Sequence, residues 1–175
     1  MKVIFLDVDG VIAPFNSPGI ITDEKLELLN CLVVETNSKI VLTSSWRKYC
    51  NEKTDTIFNP YTYLVSRLHE YDLEIYDIIS IKQPKILTRE IITPSGGKVV
   101  NRFFDPYSIR SGGIKEWLDK NEVDSFVILD DEDFNYKYFS LDDNLVMLDP
   151  NRGIELCDIE KSIKILNCRN KVKTK

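Results

Sequence analysis

Met1-Lys-Val-Ile-Phe-Leu-Asp-Val-Asp-Gly10 is the stretch from which the rest of the chain can be read. Val3 to Leu6 is an unbroken apolar run with β-branched and aromatic members, the pattern of a strand buried on both faces. It stops abruptly at Asp7-Val8-Asp9-Gly10. Carboxylates at the tip of a buried strand are not placed there for packing. In an open α/β sheet that tip is where ligands bind. Side chains two apart on extended backbone point the same way, so Asp7 and Asp9 can serve one site. Gly10 permits a sharp turn, or a ligand's close approach to the backbone. A calcium loop is excluded, because it needs oxygen ligands at positions one, three and five with Gly at six. Here Gly comes fourth and apolar Val11-Ile12 follows.

Working outward, Val11 to Ile21 holds two prolines and a glycine and reads as a loop. Thr22 then stands as the N-cap of a helix, with Asp23 and Glu24 suited to its positive start. Leu28, Leu29, Leu32 and Val33 form its apolar stripe, and Asn37-Ser38 closes it. Lys39 to Thr43 is a second short strand, ending in the hydroxyl cluster Thr43-Ser44-Ser45 before Trp46-Arg47. Strand, helix and strand of this length make a right-handed βαβ unit. That unit brings Asp7, Asp9 and Thr43 to one sheet edge. Thr-Ser-Ser can equally cap a helix, and a helix N-terminus is itself a phosphate site.

Asn59-Pro60 starts a helix to about Tyr71, and Leu73 to Ile81 reads as a third strand. From Lys82 to Ser111 the pattern is lost, which suggests a hairpin or an insert beside the site. Ser111-Gly112-Gly113 precedes a helix over Ile114 to Lys120, with Ile114, Trp117 and Leu118 on one face. Ser125 to Leu129 is a strand that again ends in carboxylates, Asp130-Asp131-Glu132-Asp133. Like charges this close repel unless a cation sits among them. Leu145 to Leu148 is a fifth strand, and a last helix runs from about Cys157 to Asn167.

The bulk properties bound the chemistry. The 175 residues suffice for one domain with a real core. No apolar run approaches the ~20 residues that span a bilayer, and the start carries no signal-peptide pattern. Cys31, Cys50, Cys157 and Cys168 lack zinc spacing and read as free thiols in a reducing compartment, so a cytoplasmic location is expected. The lone histidine, His69, sits among charged residues of a helical stretch and reads as a surface position. This argues against a Ser-His-Asp hydrolase and a histidine metal site. Any chemistry should run on carboxylates. The net charge of −5 hides six Lys/Arg and no acid in Lys161 to Lys175. Such a basic end either reaches toward nucleic acid or is a solvated tail. Nothing points to a membrane or to an obligate protein partner.

Three strand ends therefore carry site-like residues, and at this point the chain resembles the haloacid dehalogenase (HAD) superfamily. Asp7-Val8-Asp9-Gly10-Val11 is similar to its motif I, Val41-Leu42-Thr43 to motif II, Lys115 to motif III and Leu129-Asp130-Asp131 to motif IV. Lys82, Lys85 and Lys98 compete with Lys115 for the third role. Leu42-Thr-Ser-Ser-Trp-Arg47, Ile114-Lys-Glu-Trp-Leu118, Ile128-Leu-Asp-Asp-Glu132 and Gly153-Ile154 resemble the small HAD domains of Swiss Army knife RNA-repair proteins. The resemblance implies a three-layer α/β/α fold with a parallel five-stranded sheet, over a single catalytic domain at 1–168 followed by a basic tail at 169–175. It also implies Mg²⁺-dependent hydrolysis of phosphate monoesters.

Carried over to these positions, Asp7 is the nucleophile, forming an aspartyl-phosphate, and Asp9 is the general acid and base. Mg²⁺ is held by Asp7, the Asp9 backbone carbonyl and Asp131, with Asp130 acting through water or on Lys115. Thr43, Ser44, Lys115 and the Gly10 turn bind the phosphate. A hard oxygen cage without Cys or His suits Mg²⁺ on its own terms. The Asp9–Thr43 and Thr43–Lys115 gaps leave room for no large cap, only a small insert around 82–111, so the site should be open. An open site suits nucleic-acid ends, with Trp46 and Arg47 as possible substrate contacts. Mononucleotides or small metabolites are the alternative, and a non-catalytic phosphoacceptor or binding module is a second one.

Overall fold

The computed structural model describes residues 1–50, 58–80, 86–92 and 98–168. Strand β1 (Lys2–Leu6) leads through a loop into helix α1 (Asp23–Thr36), strand β2 (Ser38–Leu42) and a short 3₁₀ turn over Ser45–Tyr49. Helix α2 (Pro60–His69) and strand β3 (Ile75–Ile78) follow. Strands β4 (Ile86–Ile92) and β5 (Lys98–Phe104) pair antiparallel as a hairpin, within the segment where the sequence pattern is lost. Helix α3 (Arg110–Lys120), strands β6 (Ser125–Asp130) and β7 (Leu145–Met147) and helix α4 (Leu156–Asn167) complete the order.

β1 lies at the centre of a five-stranded sheet ordered β3-β2-β1-β6-β7, and every pairing in it is parallel. A strand alternates its side chains between faces, and the core divides accordingly. Ile4, Leu6, Ile40, Leu42, Val127 and Leu129 face Leu26, Leu29 and Leu32 of α1, Leu64 and Leu68 of α2, and Ile159 and Leu166 of α4. Val3, Phe5, Val41, Phe126 and Ile128 face Ile114, Trp117 and Leu118 of α3. Phe5 is gripped edge-on by Trp117 and Phe126, with ring centroids 5.4 and 5.8 Å away. Such pairs add about 0.5–1.5 kcal/mol each beyond burial. Helices on both faces of one parallel sheet are the expected three-layer α/β/α architecture.

Local departures have physical reasons. Thr22 holds the N-cap position of α1, but its hydroxyl makes no capping bond. Asn37 closes α1 in the left-handed conformation (φ 50°), a conformation Asn tolerates. The most consequential difference is at α3, which begins at Arg110, so Gly112 and Gly113 lie inside the helix. A Cβ on Gly112 would overlap the backbone of Pro106 and Tyr107. Gly112 admits this neighbouring turn, Gly113 lies close against Ile79 and Ser80, and neither breaks the helix. His69 is exposed at the end of α2, and all four cysteines are free thiols. No helix among the described residues is long and apolar enough to cross a membrane. The basic tail 169–175, Lys82 and Lys85 lie outside the described residues.

Candidate active site

Register assembles the site. Leu6 of β1 pairs with Leu42 of β2 on one side and Leu129 of β6 on the other. The next residues, Asp7, Thr43 and Asp130, therefore form one row across three strands, at the ~4.8 Å strand spacing. The ladder continues through it, with Asp7 N donating to Leu129 O at 3.1 Å and Thr43 N to Leu6 O at 2.9 Å. Asp7, Thr43 and Asp130 share parity with Phe5, Val41 and Ile128, so all three stand on the α3 side.

That placement explains a residue the sequence reading missed. Arg110, the first residue of α3, donates through one guanidinium nitrogen to both Asp7 Oδ2 and Asp130 Oδ2, the latter at 2.6 Å. Its guanidinium lies 4.2 Å from the centre of the Phe134 ring. Burial alone would lower the pKa of Arg110, but the two carboxylates hold it above its ordinary value. Asp130 is fully buried; its Oδ2 also accepts the Tyr136 hydroxyl at 2.6 Å, and its Oδ1 accepts the Glu132 N–H at 3.1 Å. Lys115 is not brought to this cluster. It sits more than one turn along α3 and pairs with Asp119 on the helix surface. Lys98 pairs with exposed Glu90 on the hairpin, 3.5 Å away. One signal for Arg110 is present in the sequence: a cation in a helix's first turn opposes the helix dipole and calls for an anionic partner.

Asp9 lies past the end of β1 in a tight turn in which Val11, Ile12 and Ala13 N–H groups all donate to Val8 O. The Trp46 indole N–H donates to Asp9 Oδ2 at 2.8 Å. Burial raises the Asp9 carboxyl and Asp7 adds to this, while the indole bond and Arg110 oppose it. Trp46 is only 7% exposed and packs in the core, so it offers no face to a substrate. Arg47 is likewise turned inward, donating to the carbonyls of Thr43 and of Ser44 (2.7 Å for the latter). Burial pulls Arg47 down to about 10, helped by the like charge of Arg110. The two expected substrate contacts are thus internal braces of the motif II loop. The Thr43 hydroxyl is fully buried with no hydrogen-bond partner among the described residues, a donor held ready for an incoming oxygen. Ser44 caps the 3₁₀ turn, accepting from Trp46 N at 3.3 Å.

Asp131 completes the acid cluster. Oxygens of Asp7, Asp130 and Asp131 lie within 4.8 Å of one another. Gly10 (φ 69°) makes this possible, since a Cβ there would overlap the Asp131 carboxylate. Burial, then Asp7, Asp130 and Glu132, push Asp131 up to about 6. Three carboxylates against one guanidinium, all hard oxygen donors, fit a divalent cation such as Mg²⁺.

A raised carboxyl holds its proton better folded than unfolded, so metal-free stability should fall as pH rises toward about 6. Mg²⁺ should raise the melting temperature by mass action, and less so below about pH 6, where it must displace the Asp131 proton. Asp131→Asn should melt higher than wild type without metal and barely respond to Mg²⁺. Melting curves with and without Mg²⁺, at about pH 5 and about pH 8, check both signs. Equal responses of the two proteins would refute this assignment.

A parallel sheet with helices on both faces, and with acids at the tips of β1 and β6, defines a HAD-type Rossmann-like domain. Over residues 3–159 the chain matches the family described as HAD domain in Swiss Army Knife RNA repair proteins, and it belongs to that family. No curated protein and no solved structure matches it. The family points to phosphatase-type hydrolase chemistry.

Proposed function

We propose that this chain is a phosphomonoester hydrolase that works through an aspartyl-phosphate on Asp7, requires Mg²⁺, and acts on phosphorylated nucleic-acid ends. The observation that carries the reading is the row Asp7, Thr43 and Asp130, bridged by Arg110 and flanked by Asp131. A carboxylate oxygen of Asp7 attacks phosphorus. The new oxygen–phosphorus bond forms as the bond to the leaving oxygen breaks, and Asp9 gives that oxygen a proton. Asp9 then takes a proton from the water that attacks the same phosphorus, and the bond to Asp7 breaks to release inorganic phosphate. The Thr43 hydroxyl and the Ser44 N–H donate to phosphoryl oxygens as charge shifts. Arg110 orients Asp7 and offsets the charge of the row. Bound by Asp7, Asp131 and the Asp9 backbone carbonyl, Mg²⁺ would neutralise phosphoryl charge and admit an anion among acids.

The family description supports a nucleic-acid substrate, and the described part of the insert is a two-stranded hairpin. The free cysteines accord with a reducing, intracellular setting. Phosphate release at fixed Mg²⁺ tests the reading, with Asp7→Asn as blank. The panel holds an aryl phosphate, mononucleotides, and 3′- and 5′-phosphorylated oligonucleotides. Preference for one oligonucleotide end is expected. Preference for mononucleotides would reassign the substrate to small phosphates, and absence of Asp7-dependent release would end the enzyme reading.

A further inference from the structure

Among the side chains that reach the site without belonging to its acid row, the Trp46 indole makes a specific contact with Asp9. An indole N–H is a donor only. The carboxylate oxygen it holds, Asp9 Oδ2, is thereby fixed as an acceptor, at 2.8 Å and across 37 residues of chain. Trp46 cannot readily swing away. It is 7% exposed, packs within the α1–α2–α4 core, and lies against the Tyr63 ring at 6.3 Å between centroids. Tyr63 is itself tied by accepting the Ile21 N–H at its hydroxyl, 3.3 Å away. The backbone N–H of Trp46 is fixed by Ser44 Oγ, so the residue that aims Asp9 is anchored to the proposed phosphate-binding loop. Apart from Trp46, no hydrogen bond among the described residues holds the Asp9 side chain.

We propose that Trp46 is the positioning residue for the proton-transfer step: by holding Oδ2 it turns Oδ1 of Asp9 toward the leaving oxygen. This rests on the phosphatase reading above. Its consequence is selective. An alkyl leaving group needs a proton as its bond to phosphorus breaks, whereas a nitrophenolate can depart without one. kcat/KM reports only the steps through that departure, so it isolates the donation from the later attack of water.

Trp46→Phe keeps the ring and removes the N–H. It should lower kcat/KM for an alkyl phosphate by about 10–100-fold, the scale of a misplaced catalytic group. For p-nitrophenyl phosphate the loss should be under about threefold. In an Asp9→Asn background the same change should cost nothing further for the alkyl substrate, because two residues acting as one unit are not additive. Equal losses on both substrates, or a full additional loss beside Asp9→Asn, would mean that Trp46 merely packs and would overturn the proposal. The contact has its own readout. The chain has two tryptophans, and of the two indole N–H resonances the one lost in Trp46→Phe should move in Asp9→Asn; a stationary signal would overturn the proposal whatever the kinetics. Wild-type protein with no Asp7-dependent turnover of either ester would overturn the phosphatase reading itself, a result distinct from retained turnover with equal losses.

Discussion

Arg110→Ala should cut phosphate release about 10³-fold, the scale seen when a charged or preorganised donor is lost from a reacting centre. It should also destabilise the fold by about 3–5 kcal/mol, because removing one member of a buried ion pair strands the others. Arg110 is the sole described cation that touches Asp7 and Asp130, and both acids are buried. The deficit has a sign in pH. Burial already raises Asp130, and without the guanidinium that carboxyl would rise further. A raised acid favours the folded state at low pH, so the variant should recover stability on acidification and lose it as pH rises. Denaturant titrations at about pH 5 and about pH 8 read this directly, and a deficit independent of pH would contradict it. Lys115→Ala is the matched control. It removes only an exposed i,i+4 pair with Asp119, worth about 0.3–0.5 kcal/mol, and should leave turnover near wild type.

Asp7→Asn should abolish Asp7-dependent turnover, a loss of about 10⁴–10⁶-fold on the precedent of deleted nucleophiles. An amide cannot form the acyl phosphate, although it can still accept the Val8 N–H that now binds Asp7 Oδ1 at 2.8 Å. Local geometry should therefore survive while chemistry stops. The direct measurement is acid-quenched mass spectrometry of wild-type protein during turnover. A phosphoryl group should appear on the peptide containing Asp7, removable by hydroxylamine, and be missing from Asp7→Asn. Turnover without that adduct, or an adduct on another peptide, would replace the covalent mechanism with direct attack by water or with a different acceptor.

Much of this was legible in residues because doubly buried strands write themselves as continuous apolar runs. Val3–Leu6, Ile40–Leu42 and Phe126–Leu129 are such runs, and each announces its end with a polar residue that packing would not choose. What could not be read was contact made from the side. Gly112-Gly113 looks like a helix breaker, yet both sit within α3, where Gly112 lets Pro106 and Tyr107 approach and Gly113 lies close against Ile79 and Ser80. The misplaced boundary moved Arg110 into apparent loop and lent Lys115 the position near a helix start. Trp46 and Arg47 look like surface groups suited to a nucleotide, because nothing in their spacing reveals that the indole and guanidinium turn inward. Asp131 was legible as an acid, but its closeness to Asp7 depends on the missing side chain of Gly10.

The division of the core into two clusters also separates two kinds of control. Asp7, Thr43 and Asp130 extend strands on the α3 side, where Arg110 and Tyr136 handle charge. Asp9 is held by Trp46, which belongs to the cluster on the opposite face. Substitutions beneath α3 should therefore retune affinity for the anion, and substitutions among α1, α2 and α4 should retune how leaving groups are discriminated. The sheet separates the two packing environments, and they meet only at its edge, where Trp46 is tied to Ser44 and the charges of Asp7 and Arg110 act on Asp9.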